Sequence, residues 1–154
     1  MAARYALDLV ALLTGEHAAI LALFRGLENR LPSMRLEEMR HAAEWVEHLM
    51  RSHAVDEDTL LFGALPAGQR GVGDTLEAMQ HEHEEQRALL EGLHEIAEPA
   101  LARARLRKVI EVTREHFAVE ERVLFGLARD ILGAARLAEL GCEFCRRRGI
   151  ACTG

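Results

Sequence analysis

The chain has 154 residues, of which 49% are hydrophobic, so its apolar side chains are enough for the core of one ordinary domain. Its net charge is −6 with neutral histidines, and acidic and basic residues are interleaved, which argues against the concentrated basic face that nucleic-acid binding requires. The apolar run from Leu9 to Leu13 is too short for a signal-peptide core or a membrane span, so we expect a cytoplasmic protein with no membrane partner.

Leucine, alanine, glutamate and arginine dominate the chain, prolines are few, and apolar residues recur with the period of an α-helix. The sequence therefore predicts an all-α protein. Asp74 is expected to be the N-cap of the third helix, and Gly133 is expected to close the fourth. The five predicted helices cover about residues 6–31, 36–65, 74–97, 99–132 and 135–148.

Short loops join the four long helices, so neighbouring helices must run antiparallel. We expect an up-down-up-down four-helix bundle with a short C-terminal fifth helix. The predicted division is residues 1–132 for the bundle and residues 133–154 for the C-terminal helix and its cysteine-bearing tail.

The three cysteines, Cys142, Cys145 and Cys152, all lie in the tail. Their odd number is unlike a secreted disulfide framework and favours a reducing compartment. Cys142 and Cys145 are close enough along a helix for a reversible disulfide, although a helix that simply carries thiols is the favoured interpretation. A closed zinc site would need a fourth ligand, and no histidine follows His116 in the sequence.

Two segments repeat one spacing, in which a glutamate follows a histidine by four residues: His53 with Glu57, and His116 with Glu120. Both segments then end in Leu-Phe-Gly. Residues four apart lie on the same face of an α-helix, so each segment presents an imidazole and a carboxylate together. These donor types bind transition metals.

Each long helix carries one histidine on its predicted buried face. His17, for example, has helical spacing with Leu13 and Ile20, and the stripe around His116 is expected to continue to Val123. One such histidine is usually a hydrogen-bonded core residue, but four are unusual. Counted from the end of the bundle where the helix-breaking prolines lie, their heights differ by at most six residues, on the order of 9 Å.

Six polar side chains are thus predicted to share one buried layer. Without partners they would destabilise the fold by several kcal/mol, whereas a domain has only roughly 5–15 kcal/mol of stability. A salt-bridged layer without metal is a poor alternative, because two acids cannot pair with four imidazoles. Two carboxylates from opposite helices are placed to bridge two cations. The predicted metal ligands are His17, His53, Glu57, His83, His116 and Glu120.

The order of these residues resembles the hemerythrin-like family, also called the HHE cation-binding domain, over about residues 9–132. That family has a histidine on the first helix, His-x3-Glu on the second, a histidine on the third and His-x3-Glu on the fourth. The contexts Gly-Glu-His17 and Glu82-His83-Glu-Glu-Gln-Arg are similar as well. The resemblance implies that Glu57 and Glu120 bridge two iron ions, whose coordination the histidines complete. Manganese and zinc accept the same ligands.

The oxygen-carrying hemerythrins of invertebrates have a second histidine one turn from the ligand on the third helix, where this chain has Met79 and Arg87. The missing ligand implies an open or water-filled position, which favours reactivity or ligand exchange over oxygen carriage. The invertebrate acid on the fourth helix corresponds to Glu121, but Glu120 faces the predicted core better.

Other polar residues are weaker candidates. His81 has acidic neighbours at helical spacing and is expected on a solvated face, as a reserve ligand. Asp56 and Asp58 are expected to be solvated and at most to support the ligands. A second candidate site has the spacing of ferritin-like di-iron proteins but would need further glutamates from the first and fourth helices. Its residues are Glu38, His41, Glu91 and His94.

We therefore expect a non-haem di-iron protein that binds oxygen, nitric oxide or peroxide for sensing, storage or redox turnover. The alternative is an iron-responsive module, with structural or regulatory metal, that binds a protein partner or a second copy of itself through its tail. A third hypothesis is an enzyme that turns over peroxide or repairs nitrosative damage, with electrons passing through Cys142 and Cys145.

Overall fold

A computed structural model describes residues 7–152. Within that range the chain forms helices and turns without a strand, which confirms the predicted all-α bundle with a fifth helix. The predicted start of the first helix at residue 6 lies outside the described residues. The helices are α1 (Leu9–Arg30), α2 (Leu36–Asp56), α3 (Val72–Leu90), α4 (Pro99–Val119) and α5 (Phe125–Arg147).

Two helix starts follow directly from local chemistry. The Asp8 side chain accepts a hydrogen bond from the Ala11 N–H at 2.8 Å and so caps α1. Pro99 begins α4, at a position where the missing N–H leaves no hydrogen bond unmade. The Glu98 carboxylate before it accepts hydrogen bonds from the next two backbone N–H groups, of Ala100 and Leu101.

The predicted bounds of the third helix are wrong at both ends. α3 begins at Val72, because Gly71 before it has a φ of 84°, and Asp74 lies inside the first turn. The helix ends at Leu90 rather than near residue 97, because Gly92 has a φ of 66°. A left-handed glycine of this kind is a common helix terminator.

α2 and α4 both pass directly into a π-helical turn, Glu57–Leu61 after α2 and Glu120–Leu124 after α4. In both cases the metal-ligand candidate glutamate is the first residue of the turn. A π turn holds one more residue than an α turn, so it shifts every following side chain around the helix axis. Val123 is 44% exposed for this reason, while Leu124 is buried, so the predicted continuation of the stripe to Val123 is wrong.

The predicted break at Gly133 is confirmed. This residue lies within α5 but has a φ of 72° and a ψ of 167°, values outside the helical region. The residues before it continue the fourth rod of the bundle. The residues after it cross the start of α1, where Gly141 approaches the backbone of Leu7, Asp8 and Leu9.

The hydrophobic core has two parts on either side of a polar layer. One part contains residues of the first turns of α1, such as Leu9 and Leu13, together with residues of the π turns, α3 and α5. The other contains later residues of α1, such as Ile20 and Phe24, with residues of α2 and α4. His17 lies between the two parts along α1 and is fully buried.

Replacing Gly141 by alanine is expected to destabilise the fold, although the same change in an open helix stabilises it. A Cβ at position 141 would overlap the Leu7 carbonyl oxygen and lie 3.1 Å from the Asp8 carbonyl carbon. Overpacking of this kind typically costs about 1–3 kcal/mol. Thermal unfolding would measure the loss.

Gly126→Ala is the matched control, because it lies in the same helix with no atom within 4 Å of the added Cβ. It is expected to stabilise the protein by up to about 1 kcal/mol. Equal effects of the two substitutions would contradict the close approach of α5 to the start of α1.

α1 and the turn after it, Leu9–Ser33, form a segment that is long and apolar enough to cross a membrane. Core helices of soluble proteins share this property, and α1 packs against α5 and carries the buried His17. The cytoplasmic location is based on the shorter run from Leu9 to Leu13 and stays a prediction.

Cys142 and Cys152 form a disulfide, and Cys145 is a partly buried free thiol. The favoured interpretation, a helix that simply carries thiols, is therefore wrong for Cys142, and the structure does not contain the Cys142–Cys145 pairing that the spacing allowed. The disulfide encloses the three consecutive arginines of the tail, Arg146 to Arg148.

Candidate metal centre

The structure brings all six predicted ligands together in the polar layer. None of them is more than 5% exposed. Their ligand atoms form two groups of four, and within each group all of these atoms lie within 4.8 Å of one another. Glu57 and Glu120 belong to both groups. The two groups, each of which could hold a metal ion, therefore share two carboxylates.

The first group adds His17 and His53 to the shared carboxylates. The two Nε2 atoms lie 3.1 Å apart. Nε2 of His17 lies 3.4 Å from a carboxylate oxygen of Glu120, and Nε2 of His53 lies 3.5 Å from one of Glu57. Both imidazoles thus direct the same ring nitrogen to the same small volume.

The second group adds His83 and His116. Nε2 of His83 lies 3.4 Å from a Glu57 oxygen and 3.7 Å from a Glu120 oxygen. Nε2 of His116 lies 2.9 Å from the same oxygen of Glu120. The two rings cross at 65° with their centroids 4.7 Å apart, much as the rings of His17 and His53 do at 63° and 4.9 Å.

Each histidine presents its other ring nitrogen, Nδ1, to a carboxylate outside the cluster. A carboxylate at Nδ1 favours the tautomer that leaves Nε2 free to bind a metal, and it fixes the orientation of the ring. Such partners are typical of metal-ligating histidines. The pairs are His17 with Glu121 (2.9 Å), His53 with Glu16 (3.6 Å), His83 with Asp58 (3.0 Å) and His116 with Glu82 (2.6 Å).

The sequence analysis did not identify Glu16 or Glu82 as partners, and it weighed Glu121 only as a ligand. A signal was present in the repeated pattern. An acid directly precedes the single histidine of α1 and of α3, and another acid directly follows each shared glutamate. The acid after each shared glutamate faces Nδ1 of the single histidine in the other half: Glu121 faces His17, and Asp58 faces His83.

The α1–α2 and α3–α4 halves therefore repeat the same set of contacts. Exchanging the halves converts the donors and partners of one group into those of the other. Aromatic residues follow this repeat as well: Phe62 and Phe125, each five residues after a shared glutamate, stack on His83 and His17 at 5.5 and 5.4 Å. These rings stack on the histidines and also belong to the hydrophobic core.

Asp56 is buried, which corrects the expectation that it is solvated. Its carboxylate accepts a hydrogen bond from Nε of Arg147 at 2.7 Å and another from Arg148. Arg148 also donates to both carboxylate oxygens of Glu16 at 2.8 Å. Because Glu16 faces His53, the arginines of the tail contact the surroundings of the centre.

Several of the candidate ligand atoms lie close together without hydrogen bonds. The carboxylate oxygens of Glu57 and Glu120 are buried, as are Nε2 of His83 and of His116. Although Nε2 of His116 lies 2.9 Å from a Glu120 oxygen, none of these atoms has a contact with hydrogen-bond geometry within residues 7–152. A buried polar atom without a partner typically costs about 1–3 kcal/mol. Metal ions bound to these atoms would offset that cost, so the donor set fits a pair of transition-metal ions.

Protonation in the cluster reflects the crowding of buried charges. Burial and the neighbouring Glu120 raise the pKa of Glu57 to about 7. Burial lowers the pKa of His17 to about 3. Burial opposes the charging of His83, but the carboxylates around it prevail and raise its pKa to about 11. Metal binding to such a cluster displaces protons from the ligands.

The remaining candidates lie apart from the centre. The His81 side chain is 70% exposed, as expected for a solvated face. The Glu38 carboxylate accepts a hydrogen bond from the backbone N–H of Arg35. Neither half of the second candidate site belongs to the groups of converging donors found among the described residues.

An all-α bundle with a buried cluster of histidines and carboxylates that can hold metal defines a helical metal-binding protein. The family model described as the hemerythrin HHE cation binding domain matches residues 8–128. The chain therefore belongs to the hemerythrin HHE cation-binding domain family, as the order of its histidines and glutamates indicated. No curated protein and no solved structure matches the chain.

Proposed function

We propose that the protein is a non-haem di-iron protein that binds a small ligand, such as oxygen, nitric oxide or peroxide. The proposal depends chiefly on the sharing of Glu57 and Glu120 between two groups of donors. Each group has two imidazoles and two carboxylates, and iron sites with such donors keep open positions for ligands. Membership of the family favours iron over manganese or zinc.

The chain would supply the position, protection and charge that such chemistry requires. Together the six residues would hold two ferrous ions, which would supply two electrons to one ligand. The acids at the Nδ1 atoms hold the four imidazole rings in place. The apolar clusters on both sides of the layer restrict the access of water, which limits side reactions of the bound ligand.

The tail favours a second candidate, an iron-responsive module that binds a protein partner or another copy of the chain. Arg148 contacts Glu16, which faces His53, and Asp56, which directly precedes Glu57. Occupancy of the centre would then affect how firmly the tail is held. In that case the metal has a regulatory role, and the ligand-binding chemistry is absent.

Anaerobic reconstitution with ferrous iron is the test. We expect the protein to retain two irons per chain, one for each group of donors. Exposure to oxygen should produce a charge-transfer band, and azide should shift that band. Protein that retains no iron would contradict both candidates. Retained iron with no spectral response to oxygen, azide or nitric oxide, combined with iron-dependent tryptic cleavage of the tail, would support the regulatory module instead.

A further inference from the structure

A cleft with a volume of about 680 Å³ lies between α2 and α3 and is bounded by His83, one of the six candidate ligands. Asp58, which faces Nδ1 of His83, also lines it, together with Gln86 and apolar side chains that include Met50 and Leu90. The remaining lining includes charged side chains of both signs. These are Glu47, Arg51, Arg87, Glu91 and Glu95.

The cleft lies where the two halves of the bundle differ. Phe117 directly follows His116, and its ring stacks on His17 at 3.8 Å, within 7° of parallel. The equivalent residue of the other half, directly after His53, is Ala54. Ala54 is only half-buried and lines the cleft. The space that a ring fills beside His17 is therefore open beside His83.

A second difference places a polar group in this space. Gln86 follows His83 by three residues, and the equivalent residue after His17 is Ile20. Gln86 is 5% exposed, and its amide nitrogen is buried without a hydrogen-bond partner in the described part of the chain. Buried side-chain amides nearly always have partners, so a donor of this kind on a residue that lines a cleft indicates a ligand.

We propose that the small ligand enters through the α2–α3 cleft and binds on the His83–His116 side of the centre, where the Gln86 amide donates a hydrogen bond to it. The ligand is a small hydrogen-bond acceptor: a diatomic molecule, peroxide or an anion such as azide. This inference depends on the proposed function, since it assigns one side of the same centre. The His17–His53 side, covered by Phe117, serves to hold its ion.

The first experiment closes the cleft with the side chain that the other half already has. Ala54→Phe is expected to slow azide association with the iron-loaded protein by about tenfold or more, while iron content stays unchanged. Ala104→Phe, on the exposed face of α4, is the control and should leave the association rate unchanged. Stopped-flow absorbance measures both rates.

The second experiment removes the amide. Gln86→Ile copies Ile20, and loss of one hydrogen bond should weaken azide binding by about 2- to 13-fold. The same variant is tested without metal. Because the Gln86 amide nitrogen has no partner, the melting temperature of the metal-free variant should equal or exceed that of the unmodified protein. A purely structural glutamine would give a lower one.

The outcomes separate this inference from the function on which it depends. If the unmodified iron-loaded protein binds no azide, the proposed function itself fails. If it binds azide, and both variants bind with unchanged rate and affinity, only the assignment of the cleft and of Gln86 is overturned. Should Ala54→Phe fail to load iron, the affinity and metal-free stability of Gln86→Ile decide the matter.

Discussion

Loading the metal-free protein with ferrous iron is expected to raise its melting temperature by on the order of 5–10 °C. At about 100 times the dissociation constant, a ligand that binds only the folded state stabilises it by about 2.7 kcal/mol. For a chain of this size, each kcal/mol corresponds to roughly 2–4 °C. The physical reason is that the carboxylates of Glu57 and Glu120 are buried without hydrogen-bond partners within the described chain.

Calorimetry under anaerobic conditions would measure this shift, with magnesium as the control ion. Magnesium prefers oxygen ligands and retains its water, so it should have little effect on a site with four imidazoles. An equal rise with magnesium would show that the centre acts only as a cluster of negative charge. An unchanged melting temperature with ferrous iron would contradict the proposed metal centre.

Glu120→Gln is expected to remove both iron ions. The Glu120 side chain belongs to both groups of donors and is fully buried. Glutamine has nearly the same shape but carries no charge and is a weak ligand. Glu57→Gln should have the same effect, because Glu57 is the other shared carboxylate. Iron per chain after anaerobic reconstitution and desalting is the measurement.

The neighbouring residue provides a matched control. Glu121 follows directly in sequence, but its carboxylate faces Nδ1 of His17 at 2.9 Å. Loss of such a supporting partner typically weakens metal binding by about 10- to 100-fold, so Glu121→Gln should still fill both sites at saturating iron. A Glu120→Gln variant that retains both ions, or loses only one, would contradict the shared role of this carboxylate.

The six residues of the centre could be located from the sequence because their signal is local. A helix places residues four apart on one face, so His116 and Glu120 had to point the same way. Because each of the four helices carries one histidine on its apolar face, the simplest arrangement puts all four histidines in one buried layer. The donor atoms of these residues converge in two groups that could hold a metal ion, and their role as ligands stays a prediction.

The π turns could not be predicted, because an extra residue in one turn changes no composition and little periodicity. Their consequence was the exposure of Val123, whereas Leu124 took the buried position. The early end of α3 was also missed. Apolar periodicity continues to Ile96, and the left-handed conformation of Gly92 outweighs it.

Contacts between distant parts of the chain could not be predicted from the sequence for a different reason. Glu16 and Arg148 lie 132 residues apart, and their pairing depends on the path of α5 across the bundle. Nothing in the tail sequence distinguishes Arg148 from the two arginines before it. The same holds for the disulfide between Cys142 and Cys152, because Cys152 lies beyond the end of α5 and the spacing indicated only Cys142 and Cys145 as a possible pair.

The correspondence between the α1–α2 and α3–α4 hairpins has a consequence for the shape of the centre. A homodimer of one such hairpin, related by a dyad, would place the same types of ligand around the same two ions. The two sides of its centre would be identical, so a side chain that covers one ion would also cover the other. Joining both hairpins in one polypeptide lifts that restriction. In the proposed centre, Phe117 would cover one ion while Ala54 would leave the other accessible, a difference that is impossible in a symmetric pair.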